Sequence, residues 1–207
     1  ERAFRPYVLG STFFFCGFTV LQTGAFFFVT VLLDKPAADQ ALVVGPLFGV
    51  AALSFVAVAP LAKRFGKRPM MIFGALVLAV DMGVGIPLLH TMPGLAVPIF
   101  ALGGLPIALF LALPNAMLAD ICEANAKRTG ERREGMFFGA QGFLQKISLA
   151  IPAGAFSWLA EVFGKSVDNP FGVQLAGPLT AFFLTASALC FYLYPERDVQ
   201  KAAAATT

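Results

Sequence analysis

Long apolar segments alternate with short polar segments along the whole chain. There are six apolar segments, and each is long enough to cross a hydrocarbon core of roughly 30 Å as a helix of about 20 residues. The pattern therefore predicts an all-α polytopic membrane protein. We expect helices at about 7–33, 41–62, 70–89, 95–118, 136–163 and 171–194, with polar loops at 63–69 and 119–135.

The composition agrees with a chain whose solvent is lipid. Of its 207 residues, 58% are hydrophobic and 13% are charged, and the mean hydropathy is +0.78. Almost no sequence remains for a water-soluble domain, so residues 1–207 are expected to form a single six-helix transmembrane bundle. The first residue is Glu1 rather than Met, and no signal-peptide pattern precedes the first helix. We therefore expect the chain to be part of a longer polypeptide.

The basic residues are distributed unequally between the two sides of the membrane. Twelve of the 15 lie at the termini or in loops 63–69 and 119–135, two lie on the other side, and Lys146 lies within the fifth helix. The positive-inside rule therefore places both termini and these loops in the cytoplasm. The loops account for the net charge of +3, so no nucleic-acid partner is expected.

A short sequence repeat relates the two halves of the chain. Residues 61–67, after the second helix, agree at most positions with residues 159–165, at the end of the fifth. Three helices invert the direction of the chain, so the two corners are expected on opposite membrane faces, as in a three-plus-three inverted repeat. A chance match is the alternative, because Leu, Ala and Gly are common in this composition.

Two charged residues are predicted deep in the membrane. Lys146 lies about 15 Å along the fifth helix and Asp81 about 16 Å along the third, both counted from the cytoplasmic face. A lysine at the bilayer centre costs around 2.5–3.5 kcal/mol, so a partner or a watery cavity is expected. Either the two residues form an ion pair, or Asp81 bonds to hydroxyls of its own bundle while Lys146 faces carboxylates elsewhere. Snorkelling or a static structural pair is the alternative without function.

Uncharged polar residues recur at helical spacing on the first and fifth helices. Such strips favour contact with water or with a hydroxyl-rich ligand. Hydrogen bonding within and between helices is the alternative interpretation. The candidate cavity-lining residues are Thr19, Gln22 and Thr23 on the first helix, and Gln141, Gln145 and Ser148 beside Lys146 on the fifth.

The loop 119–135 mixes four acidic with four basic residues. Its charges sum to zero, which is consistent with a salt-bridge latch at the cytoplasmic face and equally with an ordinary solvated surface. The candidate latch residues are Asp120, Glu123, Arg132 and Arg133.

Signals of catalysis and of metal binding are missing from the sequence. It contains no nucleotide-binding loop, dinucleotide fingerprint or nucleophile elbow, and His90 is its only histidine. Cys16 and Cys190 fall inside predicted helices and Cys122 lies near a membrane edge, so no disulfide is expected. We expect a protein that is not an enzyme and that holds no metal or cofactor.

Two stretches resemble known transporters. Residues 60–68 resemble the motif between helices two and three of each half of major facilitator proteins, although Lys63 stands where that family has Asp. Residues 116–138, followed by Lys146, are similar to the glycoside-pentoside-hexuronide:cation symporters, the family of the melibiose permease. Lys146 matches the single buried lysine of that family's eleventh helix. The resemblance therefore implies that Lys146 takes part in cation coupling, near acidic cation-binding residues of the N-terminal half. Arg64, Gly66 and Arg68 match the corner motif and extend the candidate latch.

The resemblance implies the C-terminal half of a major facilitator fold. It implies symport of a polar solute, such as a sugar or glycoside, coupled to Na⁺ or H⁺ by alternating access, in a bacterial-type inner or plasma membrane. The expected partners are an N-terminal six-helix half, the lipid bilayer and a small polar solute. A related branch carries lysophospholipids. A half-transporter retained as a structural or accessory subunit is the competing interpretation.

Overall fold

The computed structural model describes residues 3–131 and 133–204 of the chain. In these ranges the chain is helical apart from short connections, and six helical spans are long and apolar enough to cross a membrane. The predicted all-α polytopic class is therefore confirmed.

Each of the first five spans contains one long α-helix, and the sixth contains two α-helices. Helix α1 continues in a π-helical turn, Phe28–Leu32, and the sixth span is interrupted at Leu175 between α6 and α7. The helices are α1 Phe4–Phe27, α2 Gln40–Phe65, α3 Lys67–Leu88, α4 Ala96–Thr129, α5 Glu134–Phe163, α6 Phe171–Gln174, α7 Ala176–Tyr192 and α8 Glu196–Ala204.

The two predicted loops are largely helical. The loop 63–69 is reduced to Gly66, whose φ of 91° reverses the chain between α2 and α3, a conformation that side-chain-bearing residues rarely adopt. Helix α4 continues past its predicted end at Leu118 to Thr129, and Gly130 closes it in the left-handed conformation. Helix α8, which follows Pro195, was not predicted.

The packing of the six spans has internal two-fold symmetry. Helix α1 packs on α5 and α7, and α4 packs correspondingly on α2 and α3, while α3 and α7 pack on each other. These are the pairings that an inverted repeat requires when α1, α2 and α3 correspond to α4, α5 and α7. Each of α2 and α5 packs mainly against one long neighbour, which leaves a broad face of both helices uncovered.

Glycines allow the closest helix approaches. A Cβ atom at Gly104 of α4 would lie 2.5 Å from the carbonyl oxygen of Leu47 on α2, and one at Gly177 of α7 would lie 2.9 Å from the carbonyl oxygen of Met82 on α3. Because lipid is as apolar as the helices, such close packing rather than water exclusion holds the bundle together.

Candidate functional site

A cluster of charged groups surrounds the start of α3. We call this end of the bundle, which carries Gly66, the α4–α5 connection and α8, the basic end. The Glu196 carboxylate of α8 accepts hydrogen bonds from the backbone N–H groups of Lys67, at 2.6 Å, and Arg68, at 3.2 Å. The first N–H groups of a helix have no partner within the helix, and a carboxylate there also favours the helix dipole. Glu196 therefore caps α3 from a different helix.

The side chains of the same two residues tie α3 to α4 and α7. The Lys67 ammonium donates to Oδ2 of Asp120, at 2.6 Å, and to the carbonyl oxygen of Ala116, at 3.1 Å. The Arg68 guanidinium donates to the carbonyl oxygen of Tyr192 and lies 5.2 Å from the centre of its ring. We call Gly66, Lys67, Arg68, Asp120 and Glu196 the α3 cap cluster. It joins four helices at one corner.

Only part of the expected latch comes together in this cluster. Gly66, Arg68 and Asp120 belong to it, whereas Glu123 pairs with Lys127, at 3.3 Å. Arg133 pairs with Glu131, at 2.6 Å, and the Arg64 guanidinium lies over the ring of Phe65. These last three contacts are local and exposed, so each contributes at most about 1 kcal/mol. Arg132 lies outside the described residues.

Tyrosines form the buried side of the cluster. Tyr194 is 1% exposed, and its ring centre lies 6.5 Å from that of Tyr7. Burial, followed by the charges of Asp120 and Glu196, raises the pKa of Tyr194 above its usual range, so its phenol is neutral.

Tyr7 joins three helices below the cluster. Its hydroxyl lies 2.8 Å from the carbonyl oxygen of Pro114 on α4 and 2.8 Å from the side-chain amide of Gln141 on α5. A phenol has one hydrogen, so the consistent arrangement is that Tyr7 donates to Pro114 while the Gln141 amide, turned over, donates to Tyr7. Gln141 is thereby occupied within the bundle, which differs from its expected position in a cavity.

Removing the Tyr7 hydroxyl should destabilise the bundle. Tyr7→Phe leaves a buried amide and a buried carbonyl with one partner fewer, which costs about 1–3 kcal/mol. Thermal unfolding of the purified protein in detergent measures this loss. Tyr192→Phe is the matched control, because Tyr192 is exposed and contacts Arg68 through its backbone carbonyl oxygen and its ring, both of which Phe retains. Equal melting temperatures for the two variants would contradict the assignment.

Lys146 lies on the uncovered face of α5. It is exposed, and no hydrogen bond or ion pair joins it to another residue in the described part of the chain. Ser148, two residues away, is buried and donates to the carbonyl oxygen of Leu144. At about 100° per residue, Lys146 and Ser148 point to nearly opposite sides of the helix. Lys146 therefore points away from the bundle, and Ser148 does not line the same surface.

Three glycines lie on the same face of α5 as Lys146, between it and the basic end of the helix. Gly135, Gly139 and Gly142 recur at intervals of four and three, and a Cβ atom at any of them would meet no atom within 4 Å. Gly45 and Gly49 form a similar open pair on α2, the helix related to α5 by the inverted repeat. Small residues let another helix approach closely. We call the face of Gly135, Gly139, Gly142 and Lys146 the α5 glycine face.

The remaining polar candidates are divided between the interior and the surface. Thr19 is buried and its hydroxyl has no hydrogen-bond partner among the described residues, while Thr23 and Gln145 are half-buried. Gln22 is exposed and, with Gln40, lines a cavity of about 240 Å³ between α1, α2 and α4. Phe18, Phe48 and Phe100 contribute aromatic rings, and the rest of the lining is aliphatic apart from Met82.

Asp81 lies apart from Lys146. Its Oδ2 atom is buried without a hydrogen-bond partner among the described residues, and it would lie 3.5 Å from a Cβ atom at Gly103 of α4. The cavity of about 590 Å³ beside it, between α3 and α4, is otherwise lined by apolar residues. Among the described residues, Asp81 therefore forms neither an ion pair with Lys146 nor, through its buried Oδ2 atom, a hydrogen bond with a hydroxyl group.

Replacing Asp81 by an apolar residue should stabilise the protein. Asp81→Val removes a buried polar atom that lacks a partner, which is worth about 1–3 kcal/mol, and the melting temperature should rise. Asp81→Asn, which keeps a polar group, should not give this gain. Because Asp81 does not contact the α5 glycine face, uptake of solute into vesicles should be unchanged in both variants. A loss of uptake in both would instead assign Asp81 to the transport site.

Comparison with known proteins identifies relatives among transporters. A family model described as "MFS/sugar transport protein" matches residues 1–194. An uncharacterized symporter of Synechocystis sp. is 26% identical over 151 residues, which cover 65% of this chain and 27% of that protein. The chain therefore spans only about a quarter of the length of that relative.

Proposed function

Because the chain belongs to the MFS/sugar transport protein family, we propose that it forms one six-helix half of a cation-coupled symporter for a small polar solute. The other half is a second six-helix bundle, either upstream in the same polypeptide or on a separate chain. The two bundles rock against each other and expose a site near the middle of the membrane to one side at a time. Na⁺ or H⁺ moving down its gradient drives the solute.

The position of Lys146 carries this proposal. An ammonium group facing lipid at this depth costs about 2.5–3.5 kcal/mol, so an exposed lysine without a partner implies a surface that the bundle itself does not supply. The open glycines around Lys146 leave room for a helix from that surface. Carboxylates on the second bundle then neutralise Lys146, and binding of the coupling cation to those carboxylates competes with this pairing. Competition of this kind couples the cation to the movement of the bundles.

The solute site would include the cavity around Gln22. Side-chain amides both donate and accept hydrogen bonds, which suits a ligand with several hydroxyls, and apolar rings cover the less polar faces of such a ligand. Gln22 and Gln40 supply the amides in this otherwise apolar cavity, and Phe18, Phe48 and Phe100 supply the rings. A sugar or glycoside fits this chemistry.

The α3 cap cluster would make the bundle move as one body. It ties α3 to α4, α7 and α8 through backbone as well as side-chain hydrogen bonds. Rocking of one bundle against another requires that the helices of each bundle keep their mutual positions. The cluster would act as this structural brace at the basic end, which we propose to be cytoplasmic because of its lysines and arginines.

A bulky residue on the α5 glycine face tests the proposed contact with a second bundle. A Cβ atom at Gly139 would meet no atom within 4 Å and the position is exposed, so Gly139→Leu should still fold. The variant should obstruct an approaching helix and reduce uptake by the complete protein in proteoliposomes by at least about tenfold. Gly154→Leu is the matched control. Gly154 is also open but lies about 22 Å further along α5 than Gly139 and about 60° round the helix from it, so uptake should be retained. Full uptake by Gly139→Leu would contradict the proposal.

A further inference from the structure

A third cavity, larger than the two described above, opens at the basic end between α2, α4 and α8. Its volume is about 740 Å³. Phe55, Val58 and Ala62 of α2 and Leu113 of α4 contribute an apolar wall. From Phe55 to the end of α2 the helix rises about 15 Å, so this wall descends from the membrane edge toward the middle of the bilayer.

Basic side chains line the part of this cavity nearest the membrane edge. Lys63 and Arg64 come from the last turn of α2, and Arg197 comes from the first turn of α8. No ion pair joins these three residues to an acidic residue in the described part of the chain. The cavity therefore combines an unneutralised cationic end with an apolar end.

The remaining charges of the cavity are already occupied. The ammonium of Lys67 is paired with Asp120, and the carboxylate of Glu196, the only acidic group of the lining, accepts from the backbone at the start of α3. Glu196 thus blocks the helix terminus that would otherwise attract an anion. An incoming anion would meet Lys63, Arg64 and Arg197, whose side chains are exposed and flexible enough to converge on it.

We propose that this cavity binds an anionic phospholipid, with the phosphate of the headgroup at Lys63, Arg64 and Arg197 and an acyl chain along Phe55, Ala59 and Ala62. Arginine and lysine at the edge of the membrane attract anionic headgroups, and guanidinium groups bind phosphate through paired hydrogen bonds. An acyl chain covers apolar wall that a soluble anion would leave in contact with water. The separation of charge and apolar surface along the membrane normal matches an amphiphile rather than a small ion.

A bound lipid would bridge α2 and α8 next to the α3 cap cluster. Helix α2 packs mainly against α4. Helix α8 is held by its packing on α4 and by the hydrogen bonds between its own Glu196 and the start of α3. A ligand that binds only the folded state stabilises it by mass action. The melting temperature of the protein should therefore rise with the fraction of anionic lipid, whether or not a transported solute is present.

Lipid retention measured by native mass spectrometry tests the proposal. The purified protein is released from nanodiscs of phosphatidylcholine with phosphatidylglycerol, and the wild type should retain phosphatidylglycerol in preference to phosphatidylcholine. The variant Lys63→Gln/Arg64→Gln/Arg197→Gln should lose this preference by at least about tenfold. The control Arg5→Gln/Lys165→Gln/Lys201→Gln removes the same number of charges outside the cavity and should keep it. Retention by the first variant, or an equal loss in the control, would overturn the proposal.

Two further measurements separate a lipid from a free phosphate. Phe55→Ala shortens an exposed residue of the apolar wall and should weaken phosphatidylglycerol retention without changing folding. Inorganic phosphate at millimolar concentration should not displace the lipid, because it cannot use that wall. Full displacement by phosphate together with unchanged retention in Phe55→Ala would identify a site for a soluble anion and overturn the assignment to a lipid.

Discussion

Replacing Lys146 by glutamine should abolish gradient-driven accumulation of solute. Lys146→Gln removes the only charge that the uncovered face of α5 places deep in the membrane, and with it the proposed competition between ammonium and cation for carboxylates of the second bundle. Accumulation in proteoliposomes should fall by at least about tenfold, which corresponds to about 1.4 kcal/mol of coupling free energy. The melting temperature should not fall, because Lys146 makes no hydrogen bond or ion pair with any of the residues that the structure describes.

Two variants control this experiment. Lys165→Gln removes a basic residue that is exposed in the connection after α5, where it pairs with Glu161, and it should leave accumulation unchanged. Lys146→Arg keeps the positive charge and should retain part of the activity, although the planar guanidinium differs in shape from an ammonium. Normal accumulation by Lys146→Gln would show that the lysine only snorkels or packs, and would remove the main support for the proposed coupling.

Removing the carboxylate of Glu196 should produce the largest loss of stability among single substitutions at the basic end. Glu196→Ala leaves the N–H groups of Lys67 and Arg68 without their acceptor at the start of α3. Hydrogen bonds to a charged group contribute about 1.5–3 kcal/mol each, and water at this partly exposed site replaces some of that. We expect a total loss of about 2–3 kcal/mol in the free energy of unfolding, measured by denaturant or thermal unfolding in detergent.

A comparison with two other glutamate variants makes this prediction specific. Glu196→Gln keeps one acceptor oxygen but loses the negative charge that favours the helix N-terminus. Its loss in the free energy of unfolding should therefore be intermediate. Glu161→Ala removes an exposed carboxylate that pairs with Lys165 at 3.3 Å, and its effect should stay within about 0.5 kcal/mol. If Glu196→Ala behaved like Glu161→Ala, the α3 cap cluster would not brace the bundle.

The sequence predicted the six spans because apolar length alone determines them. The helical extensions at the basic end were not predicted, because their residues are polar. A helix can continue from the membrane into water, and the length of an apolar segment does not show where such a helix ends. The local signals were nevertheless present. Gly66 allows the reversal between α2 and α3, and Gly130 closes α4. Pro195 comes directly before α8, and Glu196 and Asp198 lie in the first turn of that helix.

The candidate site was predicted less completely, for two physical reasons. Glu196 is separated from Lys67 by 129 positions, and no local pattern indicates which distant carboxylate caps a helix. The spacing of the polar residues on α5 predicted one strip beside Lys146. Ser148, however, lies two positions from Lys146 and so points to nearly the opposite side of the helix. Helical geometry alone was sufficient to separate those two residues. The contact of Gln141 with Tyr7 required the packing of α1, α4 and α5.

Transport by the intact protein is the most direct test of the proposed function. The complete native polypeptide, or this chain together with its partner bundle, is reconstituted into proteoliposomes and tested with a panel of radiolabelled hexosides, pentosides and uronic acids. We predict accumulation of at least one of them above its external concentration when an inward Na⁺ or H⁺ gradient is imposed, and only equilibration when the gradient is collapsed. Accumulation that is independent of both gradients, or no uptake of any compound by a correctly folded protein, would contradict a cation-coupled symporter.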